Sequence, residues 1–374
     1  MGKGIFVIAG ETSGDMHGAH FAAAVRERSP GVDLFGFGGA AMRRAGVEIL
    51  MEAGELSVVG ITEVLAKLPA IRRGFRTAER LLRRRRPDLL VLIDFPDFNL
   101  RVAAFAKRLG VPVLYYISPQ VWAWRRGRAR KIARIVDHMA VILPFEADFY
   151  REHGLPVTFV GHPLMDDTRW HPVGRRVAVG GPVVGLVPGS RESEIRRHLP
   201  VMLEAAVLAR RRSASMRFVV SRSPQLPEAL FDALCRPFTG HLDFDIDPRG
   251  ARHLFGQVDL LLTKSGTVTL EAARAGVPMI VMYRVSPVSY LLGRLLIRVP
   301  HIALVNLIAG RAVVPELIQH QASPERIACW LLRLTDRPER LDRMRRELLE
   351  TADRLGREGA SERVADIALG MLPA

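Results

Sequence analysis

The stretch "IFVIAGETSGDMHGAH" spans residues 5–20. An apolar run leads straight into Gly-Glu-Thr-Ser-Gly-Asp, and a helical pattern follows from residue 16. A continuous apolar run ending in a Gly turn and a helix is the opening unit of a parallel α/β sheet, with its strands buried on both faces. Such a turn commonly holds a phosphate on the helix N–H groups. This one has no Lys, and Glu11 and Asp15 would repel a phosphate. The fold class follows from the stretch; what the loop holds does not.

The same alternation continues outward. Strands are expected at 4–9, 33–37, 88–95, 111–117, 138–143 and 157–161, with helices at 16–28, 62–85, 98–109 and 126–135. Alternating strands and helices imply a doubly wound parallel sheet. Residues 162–182 are rich in Pro, Gly and charge and read as a linker. The alternation then restarts: strands 183–187, 216–221, 242–246, 259–263 and 277–282, helices 191–212, 227–236 and 267–275, and a broken helical tail from Pro324. The expected domains are 1–170 and 183–345, joined by a 171–182 linker and followed by helices over 346–374. Two such domains face each other across a cleft, with ligands expected at the strand C-terminal ends.

Composition agrees with a two-domain globular chain: 374 residues, 48% hydrophobic and 25% charged. Cys235 and Cys329 lie in helical patterns and read as buried apolar residues in a reducing compartment. No metal-ligand spacing is present. The first apolar run is too short for a signal peptide. The longest apolar candidate, 288–310, is broken by Arg294, Arg298, Pro300 and His301, so no spanning helix is expected. The formal net charge is +15, and Lys67 to Arg134 holds 18 Lys/Arg against 4 Asp/Glu, a local +14. Such a surface attracts nucleic acid or anionic lipid, and equally reads as a solvated helix face. No RNA- or DNA-binding module is recognisable, so no nucleic-acid partner is expected.

Two segments are suited to anions. In "VGLVPGSRESEIRRHLP" (184–200) a strand meets Gly189-Ser190-Arg191 and a helix starts at once. Helix-start N–H groups, the Ser190 hydroxyl and the Arg191 fork all favour a phosphate, and Ser190 also reads as a plain N-cap. In "LLLTKSGTVTLEAARAGVPMIVM" (260–282) the turn Ser265-Gly266-Thr267 repeats the arrangement, with Glu271 one turn in, suited to ribose hydroxyls. Two such starts in one domain suggest a nucleoside diphosphate; the P-loop pattern is absent. In "LVLIDFPDFNLRVAAFAKRLG" (90–110), Asp97 reads as the helix cap, which leaves Asp94 at the strand end as a candidate general base. In "YYISPQVWAWRRGRARKI" (115–132), Trp122 and Trp124 stand beside Arg125 and Arg126, a pattern suited to a membrane interface or to stacking.

Together "AGETSGD", "IDFPDFN", "SPQVWAW", "LPFE", "FVGHPL", "LVPGSRESEI", "KSGTVTLEAA" and "LVNLIAGR" resemble the lipid-A-disaccharide synthases, in order and over essentially the whole chain. The segment from Gly174 to Pro182 is shorter than the family pattern. The resemblance implies a B-type glycosyltransferase (GT-B): two Rossmann-like domains facing a cleft, with the C-terminal helix crossing back to the first. It implies transfer of 2,3-diacylglucosamine from its UDP conjugate to 2,3-diacylglucosamine 1-phosphate, giving a β-1′,6-linked disaccharide 1-phosphate and UDP. It further implies an inverting, metal-independent reaction without a cofactor, on the cytoplasmic face of the inner membrane. By motif, Asp94 and Glu11 fall on catalytic positions, and Arg191, Glu271 and Asn306 on positions tied to UDP-sugar binding or activity. Thr12 and Ser13 are then expected to hold sugar hydroxyls. The stretch 58–75, with Arg72 and Arg73, reads either as resting on anionic lipid or as a core-facing helix. Oligomeric state stays open, a homo-oligomer included. The rivals are another transferase of this fold with a lipid-linked acceptor, and a UDP-sugar epimerase.

Overall fold

The computed structural model describes residues 3–56, 61–124, 126–167, 172–173, 180–297 and 299–373. Residues 57–60, Arg125 and most of the 171–182 segment lie outside the described residues, as do the side chains of Thr12, residues 61–67, Trp124 and Arg126. The chain divides into two compact units, Met1–Asp167 with Leu355–Ala374, and Thr168–Arg354.

The first unit holds a seven-stranded sheet: β1 (Gly4–Ala9), β2 (Asp33–Gly38), β3 (Glu48–Glu52), β4 (Leu89–Ile93), β5 (Val113–Tyr116), β6 (His138–Val141) and β7 (Val157–Phe159). Their order is β3-β2-β1-β4-β5-β6-β7, and β1 pairs in parallel with both β2 and β4. The second unit holds β8 (Val183–Val187), β9 (Arg217–Ser221), β10 (Phe244–Asp247), β11 (Leu260–Lys264), β12 (Met279–Tyr283) and β13 (Glu316–Ile318), in the order β10-β9-β8-β11-β12-β13. Each order reverses direction once, at β1/β4 and at β8/β11. In an open α/β sheet, ligands bind outside the strand carboxyl ends at that reversal.

The strands are buried because they are apolar throughout: every residue of β4 and of β8 is buried. The Thr12–Arg28 helix packs its Phe21, Ala22 and Val25 on the first sheet. The last helix, Ala360–Gly370, adds Val364, Ala365 and Ala368 to the same core, so the C-terminus returns to the first unit. The Pro338–Asp353 helix belongs to the second unit, and the chain passes between units at Arg354/Leu355. Residues 162–167, expected as linker, are part of the first unit. His162 N–H donates to Leu355 O at 2.8 Å, and Asp166 Oδ1 accepts from Gly359 and Ala360 N–H at 2.8 and 3.1 Å. Cys235 is buried as expected, but Cys329 is exposed, on the outer side of the Pro324–Thr335 helix; both thiols are free.

Candidate active site

In the first unit the reversal is built by two interlocked motifs. β1 ends at Ala9 and the helix begins at Thr12, so "ETSGD" forms the first helical turn and not a loop. Asp15 turns inward, and its carboxylate accepts from the N–H groups of Gly39, Ala41 and Met42 at 2.7, 3.0 and 3.0 Å. One of the two acids in the opening stretch thus holds the turn after β2. The other, Glu11, is the exposed N-cap residue with no capping bond from its side chain. Ser13 is exposed beside it.

β4 delivers Asp94. Asp94 and Phe95 have φ of 48° and 49°, the left-handed region that costs L-residues roughly 1–2 kcal/mol each. The strain is held by bonds to the backbone. Asp94 O accepts from Tyr115 Oη at 2.7 Å and from Asn99 Nδ2 at 2.8 Å, while Asp94 N–H donates to Tyr116 O at 3.0 Å. It also needs Gly10, because a Cβ there would overlap the Phe95 ring. The helix begins at Pro96 with Phe95 as N-cap, so Asp97 is not the cap; it is exposed in the first turn, 3.8 Å from Arg128. Asp94 is left without a capping role. Burial, and then the charge of Glu11, lift its carboxyl from 3.8 to about 6, against a hydrogen bond from Phe95 N–H. A carboxylate poised near neutrality at a strand end is suited to accepting a proton.

In the second unit both loops sit at the β8/β11 reversal. β8 runs into Gly189, whose φ is +128°, and a Cβ there would collide with Glu194. The helix is Glu192–Arg212 with Arg191, not Ser190, as N-cap. Ser190 and Arg191 are exposed at its start. Glu194 reaches back to accept from Ser190 N–H at 3.2 Å, and its other oxygen meets Lys264 Nζ at 3.0 Å. Burial pushes the Glu194 carboxyl up, but Lys264, Ser190 N–H and Arg191 together hold it below the usual value. This ion pair ties the two loops together. His198, fully buried, bonds to Pro188 O at 3.1 Å and lies 3.2 Å from Arg284 N, fixing the residue before Gly189.

After β11, Ser265 Oγ donates to Ile302 O at 3.1 Å, while Gly266 and the exposed Thr267 lead into a helix, Val268–Arg274. That helix is two turns long, so its dipole is smaller than that of Glu192–Arg212. Glu271 Oε1 accepts from Arg252 Nη2 at 2.6 Å, a partner from outside the motif.

Two expected site residues are corrected. Asn306 is fully buried. Its Nδ2 donates to Val314 O and Glu316 Oε1 at 2.9 and 2.6 Å, and its Oδ1 accepts from Val313 and Val314 N–H at 2.8 and 3.0 Å. No hydrogen-bonding capacity remains for a ligand; Asn306 orders Glu316, which in turn accepts from Ile302 N–H at 2.8 Å. Trp122 is also buried and cannot rest on a membrane. Its Nε1 donates at 2.9 Å to Glu146, which Ser118 Oγ reaches at 2.6 Å and Leu143 N–H at 3.1 Å. Burial lifts the Glu146 carboxyl to about 7, against these three donors. "SPQVWAW" and "LPFE" are therefore two sides of one buried clasp. Arg72 and Arg73 are exposed and Leu68 is 37% exposed, whereas Arg85 stacks on Phe35 at 4.7 Å and pairs with Glu48.

A family model described as Lipid-A-disaccharide synthetase matches residues 5–369. The chain belongs to the lipid-A-disaccharide synthase family. A lipid-A-disaccharide synthase of Geobacter metallireducens is 46% identical over 378 residues, covering 99% of this chain and 97% of the relative. Among solved structures, a putative UDP-N-acetylglucosamine 2-epimerase of Listeria monocytogenes has a TM-score of 0.63 at 14% identity, covering 97% of this chain and 95% of its own. MurG of Acinetobacter baumannii has a TM-score of 0.61 at 15% identity, covering 98% and 99%. At such identities the structures speak to the fold alone, and they share the two-unit GT-B architecture. "AGETSGD", "IDFPDFN", "LVPGSRESEI" and "KSGTVTLEAA" lie at the two sheet reversals, whereas "SPQVWAW", "LPFE", "FVGHPL" and "LVNLIAGR" lie away from them. Sequence reasoning missed Lys264, Glu194, Arg252 and Glu146 as partners, because each acts across strands or helices that no local pattern connects.

Proposed function

We infer that this glycosyltransferase moves 2,3-diacylglucosamine from its UDP conjugate to 2,3-diacylglucosamine 1-phosphate, as its family name describes for the disaccharide product. The observation that carries the reading is Asp94: a strained, partly buried carboxyl raised to about 6, at the reversal of a Rossmann-type sheet. Asp94 takes the proton of the acceptor hydroxyl as its oxygen bonds to the anomeric carbon. The bond from that carbon to the diphosphate breaks, and UDP leaves with the electron pair. The exposed Ser190 and Arg191, the N–H groups at the long helix start and the Ser265–Thr267 turn meet the charge growing on the leaving diphosphate. Glu271, which pairs with Arg252, accepts ribose hydroxyls in this reading. Glu11 holds the Asp94 carboxyl up and, with Ser13 and Thr12, hydrogen-bonds sugar hydroxyls.

No helix among the described residues is long and apolar enough to cross a membrane. The acceptor carries acyl chains, so the reading adds peripheral binding to the inner face of the inner membrane, through exposed Arg72 and Arg73. High salt then weakens binding to anionic vesicles.

The test separates transfer from epimerisation. UDP release is measured with the donor alone and with the donor plus the 1-phosphate acceptor. Transfer requires release that depends on the acceptor; donor conversion without acceptor would favour an epimerase.

A further inference from the structure

The carboxyl edge of the second sheet carries a cavity of about 530 Å³ that the diphosphate loops do not use. It lies at the ends of β12 and β13, and its walls are mainly apolar: Tyr283, Val285, Tyr290, Val299, Ile302 and Ile318. The Pro287–Leu296 helix and the residue after it leave Leu291 63% and Ile297 44% exposed. Apolar surface held open to water costs roughly 25 cal/mol per Å² relative to covering it, and a cavity of several hundred Å³ is the size of a ligand site. The acid in its wall, Glu316, is already taken up by Ile302 N–H, Ala303 N–H and Asn306. The cavity thus has room and mainly apolar walls, with its carboxylate satisfied from within and Arg294, His320 and Gln321 as the rest of its polar lining.

One wall connects it to the donor loop. Ile302 O accepts from Ser265 Oγ, the first residue of the Ser265–Thr267 turn. A ligand that places a diphosphate on that turn and extends along the same sheet edge meets this cavity next. We propose that the cavity takes one acyl chain of the donor sugar. The proposal rests on the functional reading above, in which the donor carries both a diphosphate and acyl chains. Donor choice then depends on chain length, through a pocket in the nucleotide-binding unit.

Gly293 lines the cavity, and a Cβ there would meet nothing nearer than Ile297 Cδ1 at 3.6 Å. Gly293→Leu adds bulk at the cavity wall, where a Cβ has room, and improves helix propensity. Dissociation constants are measured by titration calorimetry for UDP-2,3-diacylglucosamine with fourteen-carbon and with four-carbon chains, and for the acceptor. The variant is expected to weaken long-chain donor binding about tenfold, and to leave the short-chain donor and the acceptor unchanged. Ile297→Glu, at an exposed position that tolerates a charge, is expected to give the same split. Equal weakening of both donors, or no weakening of either, overturns the proposal. Weakened acceptor binding alone also overturns it and assigns the cavity to the acceptor chain. A wild type that prefers the long-chain donor yet forms no disaccharide would instead remove the transferase reading and leave the cavity assignment standing.

Discussion

Replacing Asp94 by Asn should make the protein more stable while removing its activity. The carboxyl titrates at 3.8 when unperturbed and at about 6 in the fold, where burial and the Glu11 charge oppose its ionised form. Above pH 6 the folded state therefore carries a carboxylate it disfavours, at a cost of about 3 kcal/mol. The sign follows from the direction of the change. A raised carboxyl favours folding below the unfolded value of 3.8, and that advantage is lost as pH rises through about 6. The substituted amide would keep the shape and could still accept from Phe95 N–H, but it has no charge to lose. Thermal unfolding of wild type and Asp94→Asn at pH 5 and pH 8 checks this. The variant should melt several degrees higher at pH 8, with the gap cut to about half at pH 5. Its turnover should fall by roughly 10²–10⁴. Equal stability at pH 8, or the same gain at both pH values, would refute the claim that Asp94 is held ionised against its surroundings.

Other consequences follow from the same geometry. Gly189→Ala places a methyl against Glu194 at a φ that L-residues avoid, so the Michaelis constant for the UDP-sugar should rise about tenfold; unchanged donor kinetics would contradict the loop assignment. Asn306→Ala leaves two backbone N–H groups, one carbonyl and Glu316 short of partners, and should destabilise by on the order of 3 kcal/mol or more, read by denaturant unfolding. Weaker donor binding with stability intact would return Asn306 to the ligand surface. Trp122→Phe removes one donor to Glu146 and should cost about 1–3 kcal/mol in thermal unfolding, while vesicle binding stays as in wild type.

The sheets were legible because parallel strands buried on both faces are continuous apolar runs: "GIFVIA" and "VVGLV" occupy the residues expected of them. β3 (Glu48–Glu52) was not expected, since its first residue is exposed, the rest are only partly buried, and Glu flanks it at both ends. β13 (Glu316–Ile318) escaped because it is short and opens on Glu316 directly after Pro315. Asp94 was legible from its place at a strand end. The reason it is poised was not, because it rests first on burial and then on the charge of Glu11, brought close by the pairing of β1 with β4. Asn306 and Trp122 were misread on different grounds. The indole of Trp122 beside Arg looks like surface chemistry, and Asn306 was carried over with the family motif; only the tertiary fold supplies Glu146, or Glu316, Val313 and Val314, to bury them against. Cys329 shows the converse: a helical pattern predicts a helix, not which side of it faces the core.

The most direct test of the central claim is to incubate the purified protein in detergent with UDP-2,3-diacylglucosamine and 2,3-diacylglucosamine 1-phosphate, and to look for the disaccharide by mass spectrometry. The account predicts a β-1′,6-linked disaccharide 1-phosphate in wild type and its near-absence with Asp94→Asn. Folded wild-type protein that leaves both substrates intact, or an Asp94→Asn variant that makes product at the wild-type rate, would contradict it.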